Sequence, residues 1–239
     1  MYDIQIKEQK YGELVVLQNM NCNIEEGDFI AIMGESGCGK TTFLNIISGI
    51  LKDYSGEVYL KDMALHKKTK NQLLNIRREN LGMIFQDFQL IDFLNVEENI
   101  RLINDNIKDE EIENILTKLG IEDIKNKTLN QCSGGQKQRV AIARVLAGEK
   151  RIILADEPTA SLDAKTSEEI MKLFTALHEE GYTIIMITHS PQIASYADRI
   201  LYLYEGRFQR EVNLTGVIQK EKLKQIIQII GEHYEENLV

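Results

Sequence analysis

The chain has 239 residues, with 28 basic and 37 acidic side chains and a formal net charge of −9. Hydrophobic residues at 43% and charged residues at 27% can fill a sizeable core in one or two compact domains, which excludes wholesale disorder. The acidic balance disfavours bulk electrostatic binding to nucleic acid or anionic lipid. The longest apolar stretches, Phe29 to Met33 and Ile184 to Ile187, are strand-sized, well short of the ~20 residues of a membrane span. The opening MYDIQIKEQK has no apolar h-region, so no secretory signal is expected. Cys22, Cys38 and Cys132 leave one thiol over under any pairing and suggest neither a disulfide framework nor a zinc site. A reducing cytoplasm is the simplest home.

In chain order, Ile4 and Ile6 alternate with polar residues, and Leu14 to Leu17 is rich in strand formers. Phe29 to Met33 reads as a buried strand running into Gly34, and Thr41 to Ile50 reads as a helix. Glu57 to Leu60 and Leu81 to Phe85 are further strands. From Val96 to about Lys118 the apolar residues fall at helical spacing, and a second helix spans about Gly135 to Leu146. Strands follow at Ile152 to Ala155 and Thr183 to Ile187, with a helix at about Ala164 to Glu180 between them. Arg199 to Tyr204 and Arg207 to Val212 read as a hairpin around Glu205-Gly206. Leu223, Ile226, Ile227 and Ile230 predict an amphipathic tail helix. Strands alternating with helices give an α/β fold with a largely parallel sheet, interrupted by a helical insert.

Three motifs carry chemistry. Gly34-Glu35-Ser36-Gly37-Cys38-Gly39-Lys40-Thr41 fits G-x-x-x-x-G-K-[ST] between a strand and a helix. Its glycines let backbone N–H groups turn toward phosphate oxygens, and the helix adds its positive end. Lys40 would reach the β- and γ-phosphates, and the Thr41 hydroxyl would hold Mg²⁺. Asp156 and Glu157 end a buried strand, where α/β sheets form their ligand crevice. Asp156 is placed to hold Mg²⁺ and Glu157 to act as general base toward water. Cys132-Ser133-Gly134-Gly135-Gln136 opens a helix with Ser133 as N-cap, which makes a second anion cradle. One nucleotide does not need two separate cradles on one chain, so the second would serve another copy of the protein.

With both glycine motifs in this order, the chain resembles an ATP-binding cassette (ABC) ATPase, the nucleotide-binding subunit of an ABC transporter. CSGGQKQRVAIARVLA, Cys132 to Ala147, is similar to the family signature over its full length, and the motif order matches across about residues 2 to 208. The resemblance implies a P-loop NTPase fold: a RecA-like core with an antiparallel β subdomain and a helical subdomain. Residues 1–239 would form one ABC ATPase domain. Residues 1–86 and 147–208 would be the catalytic core with the β subdomain, 87–146 the helical signature subdomain, and 209–239 a C-terminal extension.

The resemblance implies further roles. Tyr11 would stack on adenine, with ordinary strand packing as its bland alternative. Gln86 would touch Mg²⁺ and link the core to the helical subdomain. Ser161-Leu162-Asp163 would cross a dimer interface, and His189 would contact the γ-phosphate. ATP would contact Tyr11, Gly34, Ser36, Gly37, Cys38, Gly39, Lys40, Thr41, Thr42, Gln86, Asp156 and Asp163, with Ser133, Gly135 and Gln136 coming from the signature. Lys40, Gln86, Glu157 and His189 would be catalytic, and Thr41, Gln86 and Asp156 would hold Mg²⁺. Two copies would sandwich two ATP molecules head to tail, with each ATP between one chain's Lys40 and the other's Ser133 and Gly135. The chain departs from the common family pattern at Cys132, Glu35, Cys38 and Thr41, and none of these removes a catalytic group.

Such a motor implies an integral-membrane permease, which would hold it on the inner face of the cell membrane. Gln86 to Leu94 is either core of the insert or part of a groove for a short helix of that permease. FQDFQLIDFLNVEENI, with Ile76-Arg77-Arg78 upstream, most resembles the ATPases of macrolide-exporter, lipoprotein-release and bacitracin-resistance systems. Alternatives are a mechanotransmitting cell-division type, a soluble non-transport ABC ATPase acting on nucleic acid, and a regulatory module without turnover. The single cassette, the short span between the glycine motifs and the acidic charge argue against nucleic acid. His66 to Lys70 reads as a solvated basic loop. The tail helix either packs on the core or covers a partner surface.

Overall fold

The computed structural model describes residues 1–236. An antiparallel sheet holds β1 (Tyr2–Tyr11), β2 (Leu14–Ile24), β4 (Ser55–Leu60) and β5 (Met63–Ala64) in the order β2-β1-β4-β5. Alternation along β1 buries Tyr2, Ile4 and Ile6 and exposes Asp3, Gln5 and Lys7, as expected of a sheet with one solvated face.

The larger sheet has the order β10-β9-β3-β8-β7-β6. Its strands β3 (Phe29–Met33), β6 (Leu81–Ile84), β7 (Ile152–Asp156), β8 (Thr183–Ile187) and β9 (Arg199–Tyr204) run parallel, and β10 (Arg207–Asn213) closes one edge antiparallel to β9. β3 and β8 are buried at every position, because the sheet is covered on both faces. Period-two alternation divides β3 between two cores. Phe29, Ala31 and Met33 face one, and Ile30 and Ile32 face the other. Each large aliphatic side chain buried this way contributes about 1.5–3 kcal/mol relative to exposure.

α1 (Lys40–Ile47) packs Phe43, Leu44, Ile46 and Ile47 into the core shared with the antiparallel sheet. The opposite core takes α6 (Ala164–Glu179), the short α7 (Pro191–Ala194) and the insert helices. Those are α3 (Val96–Arg101), α4 (Asp109–Leu119) and α5 (Gly134–Ala147). The helical spacing from Val96 to Lys118 is not one continuous run, because it breaks over residues 102–108. There Asn106 N–H bonds the Asn104 side chain at 3.2 Å, and the Arg101 guanidinium donates to Ile107 O at 2.8 Å. Asn and Asp favour such local bonds over helix, and Asp109, Glu110 and Glu111 then restart a helix at its positive end.

His66 to Lys70 is not a plain solvated loop. Residues Leu65–Lys67 form a 3-10 turn, and Thr69 caps α2 (Lys70–Asn80) in a reciprocal capping box with Gln72. The tail forms α8 (Gln219–Glu236), which buries Lys222 and Ile226 and leaves Ile227 exposed. No helix among the described residues is long and apolar enough to cross a membrane.

Candidate active site

β3, β8, β7 and β6 are successive neighbours in the sheet and point the same way. Their C-terminal ends deliver, side by side, the glycine loop 34–41, His189, the pair Asp156-Glu157, and Gln86. Residues far apart in sequence thus share one sheet edge, where open α/β sheets bind ligands.

The loop is shaped by close approach. A Cβ on Gly34 would collide with the carbonyl of Leu203 in β9. Gly39 caps α1 at φ 106°, and a Cβ there would meet the side chain of Leu17, so only glycine fits. The buried Lys40 turns its ammonium into the loop and donates to Gly34 O at 2.9 Å and Glu35 O at 2.6 Å. α1 carries no acidic residue in its first turn, so its positive end faces the loop uncompensated.

A cavity of about 270 Å³ opens over this loop. It is lined by Ser36, Gly37, Gly39, Lys40, Thr41, Thr42, Gln86, Asp156 and Glu157, with Val16 and Ile187 as apolar contacts. The lining therefore combines the glycine loop and Lys40 with the carboxylates of Asp156 and Glu157. That arrangement suits a polyphosphate with a cation and a water.

Thr41 Oγ1 donates to Asp156 Oδ1 at 3.4 Å. Burial pushes the Asp156 carboxyl up from its ordinary value, and the neighbouring Glu157 adds to this against the Thr41 bond and Lys40. A cation beside Asp156 would relieve that penalty. The all-oxygen donors of Thr41, Gln86 and Asp156 suit Mg²⁺, which binds through one or two carboxylates together with substrate phosphates. No group of three or more His, Cys, Asp or Glu side chains among the described residues forms a separate metal cage.

Glu157 sits in the left-handed region at φ 48°, held by its N–H to Ile187 O at 3.1 Å and by Ala160 N–H to its carbonyl at 3.1 Å. Such a conformation costs about 1–3 kcal/mol and clusters at active sites. It aims the carboxylate at His189, whose Nδ1 lies 2.9 Å from Glu157 Oε1. The His189 ring is 68% exposed and Glu157 only 15%, so an open histidine stands beside a half-buried carboxylate.

Other expected residues lie apart from this cavity. Tyr11, 53% exposed, pairs with Leu14 across a two-residue turn, and Val16 farther along β2 lines the cavity. Gly34 and Cys38 belong to the loop but not to the cavity wall. Ser133, Gly135 and Gln136 lie at the N-terminus of α5. Gln136 N–H donates to Ser133 Oγ at 3.3 Å, and Ser133 N–H to Gln136 Oε1 at 2.9 Å, so the Gln136 side chain closes a capping box. Ser133 and Gly134 are exposed, and a Cβ on Gly135 would collide with Thr166 of α6. Asp163 caps α6, accepting from Thr166 N–H at 3.0 Å and Thr166 Oγ1 at 2.6 Å. Those bonds hold its carboxyl below its ordinary value.

Ser161, expected at a dimer crossing, also donates through Oγ to Gln86 O at 3.4 Å, tying the loop before α6 to the Gln86 segment. Other site neighbours escaped the sequence reading. The fully buried Asn99 braces that segment by accepting from Ile91 N–H at 2.9 Å and donating to Ile91 O at 3.1 Å. Arg144 donates to Gln89 O, where Phe88 and Gln89 both have positive φ. The sequence signal for a structured turn here is the Asn95-x-x-Glu98 capping pattern, which the structure closes as a capping box before α3.

Next to this segment lies a groove of about 440 Å³. Leu74, Phe85, Phe88, Leu102 and Ile103 supply apolar surface, and Arg77, Arg78, Arg144 and Lys150 supply charge. Burial pulls the Arg77 and Arg144 guanidiniums down from their ordinary values. Phe93, in the adjoining loop, is 81% exposed, so Gln86 to Leu94 is in large part surface rather than core.

Residues 17–160 match the family model described as ABC transporter. An ABC transporter ATP-binding protein of Methanocaldococcus jannaschii, MJ0796, is 42% identical over 88% of this chain and 95% of its own. The bacitracin export ATP-binding protein BceA of Halalkalibacterium halodurans is 36% identical, over 93% of this chain and 90% of its own. The macrolide export ATP-binding/permease protein MacB of Mannheimia succiniciproducens is 39% identical over 85% of this chain, which spans only 33% of that longer protein. The fold superposes on a solved dimeric structure of MJ0796 in a post-hydrolysis state bound to ADP and Pi. The TM-score is 0.80, covering 90% of this chain and all of the other at 42% identity.

Proposed function

The chain belongs to the ABC transporter family, and from that premise we propose that it powers a membrane complex that exports, extracts or gives resistance to a peptide, lipoprotein or drug-like substrate. The chain is an ATP-binding ATPase subunit of this family. The observation that carries the catalytic reading is the 2.9 Å pairing of His189 with Glu157 at the rim of the cavity that holds Lys40 and Asp156.

In this reading the loop N–H groups, the α1 N-terminus and Lys40 hold the β- and γ-phosphates, and Tyr11 stacks on the adenine. Glu157 takes a proton from water as the water oxygen bonds the γ-phosphorus and the bridge to ADP breaks. The products are ADP and inorganic phosphate. His189 orients the Glu157 carboxylate through Nδ1 and leaves Nε2 free for a γ-phosphate oxygen. Thr41, Gln86 and Asp156 would hold Mg²⁺, which when bound neutralises phosphate charge. Excluding bulk water strengthens each of these interactions.

The second cradle, Ser133 with Gly135 and Gln136, has Ser133 exposed and its other two residues half-buried, and it lies off the chain's own cavity. That supports a head-to-tail dimer in which each signature meets the partner's γ-phosphate, with Asp163 at the crossing. Closing on ATP and reopening after hydrolysis would be the mechanical output. Residues 87–146 would move as the signature subdomain against the core formed by 1–86 and 147–208. BceA and MacB among the relatives favour an export or resistance role.

The groove beside Gln86 to Leu94 suits a short amphipathic helix of an integral-membrane permease, which would hold the chain at the inner face of the cell membrane. The test is a pull-down from membranes with the Glu157→Gln protein and ATP. Recovery of a polytopic membrane protein, lost on Leu102→Asp, supports the assignment. Recovery of ribosomes or DNA-repair proteins instead overturns it.

A further inference from the structure

The C-terminal helix carries a buried charge that the catalytic reading does not use. Lys222 of α8 is 7% exposed, whereas lysines are rarely buried unless paired. Its ammonium donates to Ala197 O at 2.9 Å and to Asp198 Oδ1 at 2.6 Å. The other carboxylate oxygen of Asp198 lies 3.0 Å from His178 Nε2. His178 stands in the last turn of α6, and Ala197 closes the turn after α7 through its N–H to Ala194 O at 2.9 Å. Asp198 is also anchored to the sheet, by its N–H to Phe29 O at 2.8 Å.

Lys222 therefore ties α8 to the segment just after α7, through Ala197 O, and to the end of α6, through Asp198 and His178. α6 begins at Asp163. α7 is capped by Ser190, the residue after His189, whose Oγ accepts from Ile193 N–H at 3.4 Å. Ser190 N–H in turn bonds Thr188 Oγ1 at 3.1 Å, fixing the backbone on both sides of His189. A second tie, Gln219 Nε2 to Ser195 Oγ at 3.4 Å, joins α8 to the end of α7. With no ammonium at position 222, the segment that follows α7 loses its charged fastening to α8 among the described residues, and the hold on the short helix behind His189 is reduced to Gln219 and packing.

We propose that Lys222 is a positioning residue for the ATPase reaction: through Ala197 and Asp198 it fixes the segment after α7, and so the placement of His189 beside Glu157. The C-terminal helix thereby sets turnover while leaving nucleotide binding to the loop at 34–41. The inference rests on the role assigned to His189 above.

The test uses the full-length protein. Lys222→Met, which keeps the apolar stem, should lower kcat by about two- to thirtyfold, the range by which changes along a packed network alter coupling. KM for ATP should hold, and Lys222→Arg should recover most of the rate. In a His189→Ala background, Lys222→Met should cost nothing further, because the loss runs through His189. Parental kcat in Lys222→Met, or an undiminished loss on top of His189→Ala, overturns the inference. So does a fall in kcat that only tracks a fall in folded protein by thermal melt. His189→Ala turning over like the parent instead overturns the role of His189 itself, which separates the two failures.

Discussion

His189 Nδ1 lies 2.9 Å from Glu157 Oε1 although the two residues come from different strands, and Glu157 adopts left-handed backbone to make the pair. A carboxylate so placed keeps the ring's other nitrogen pointing away from the base. Replacing His189 by alanine removes the side chain that orients Glu157 and its contact toward phosphate. We expect kcat to fall by about 10²–10⁴-fold while KM for ATP changes little, as steady-state kinetics would show. A comparable fall in nucleotide affinity would place His189 in binding rather than in catalysis.

Asp156 provides a pH test. Its carboxyl is raised by burial, so the folded state holds that proton more tightly than the unfolded chain. The ionised form therefore costs stability above the ordinary carboxylate range, and the penalty is relieved as pH falls through the raised value. Asp156→Asn should raise the melting temperature of the nucleotide-free protein at neutral pH, with a smaller gain in acid. The same variant should lose Mg²⁺-dependent ATP retention. A lower melting temperature at neutral pH would contradict the desolvation account.

Gly135 is constrained by packing and not by backbone conformation. Gly135→Ala would drive its methyl into Thr166 Cγ2 and should destabilise the fold by about 1–3 kcal/mol. Thr166→Ser removes that methyl and keeps the hydroxyl that donates to Asp163. Adding it should restore most of the stability, read from denaturant midpoints. Equal destabilisation in the single and double variants would contradict the steric explanation.

Cys38 Sγ sits 4.0 Å from the Lys40 ammonium. Burial pushes its thiol up, with Lys40 pulling it back. The thiolate is the reactive form, so alkylation should be slow at neutral pH and quicken as pH rises. It should abolish ATPase activity, and bound ATP should protect. Loss of activity that persists in Cys38→Ser would show that the reagent acts elsewhere.

The sheet was readable because its strands announce themselves locally. Phe29–Met33 is an unbroken apolar run and Thr183–Ile187 is apolar after its threonine, as strands buried on both faces must be, and their ends fall where expected. The loop at 34–41 was readable because close approach demands glycine at fixed spacing. The break after Arg101 was missed because apolar period survives across a turn. α2 was missed because its charged surface hid the Thr69–Gln72 cap. Val16, Ile187 and Arg144 join their sites only through tertiary contact, and Lys222 looks like any surface lysine until α8 is docked.

The most direct test of the account is the mass of the Glu157→Gln protein in solution, with and without saturating ATP. With the base disabled and Ser133 and Gly135 intact, ATP should convert monomer to a dimer holding two nucleotides. That dimer should not form with Ser133→Arg, which blocks the second cradle. A protein that stays monomeric with ATP fully bound would contradict the nucleotide sandwich at the centre of the mechanism.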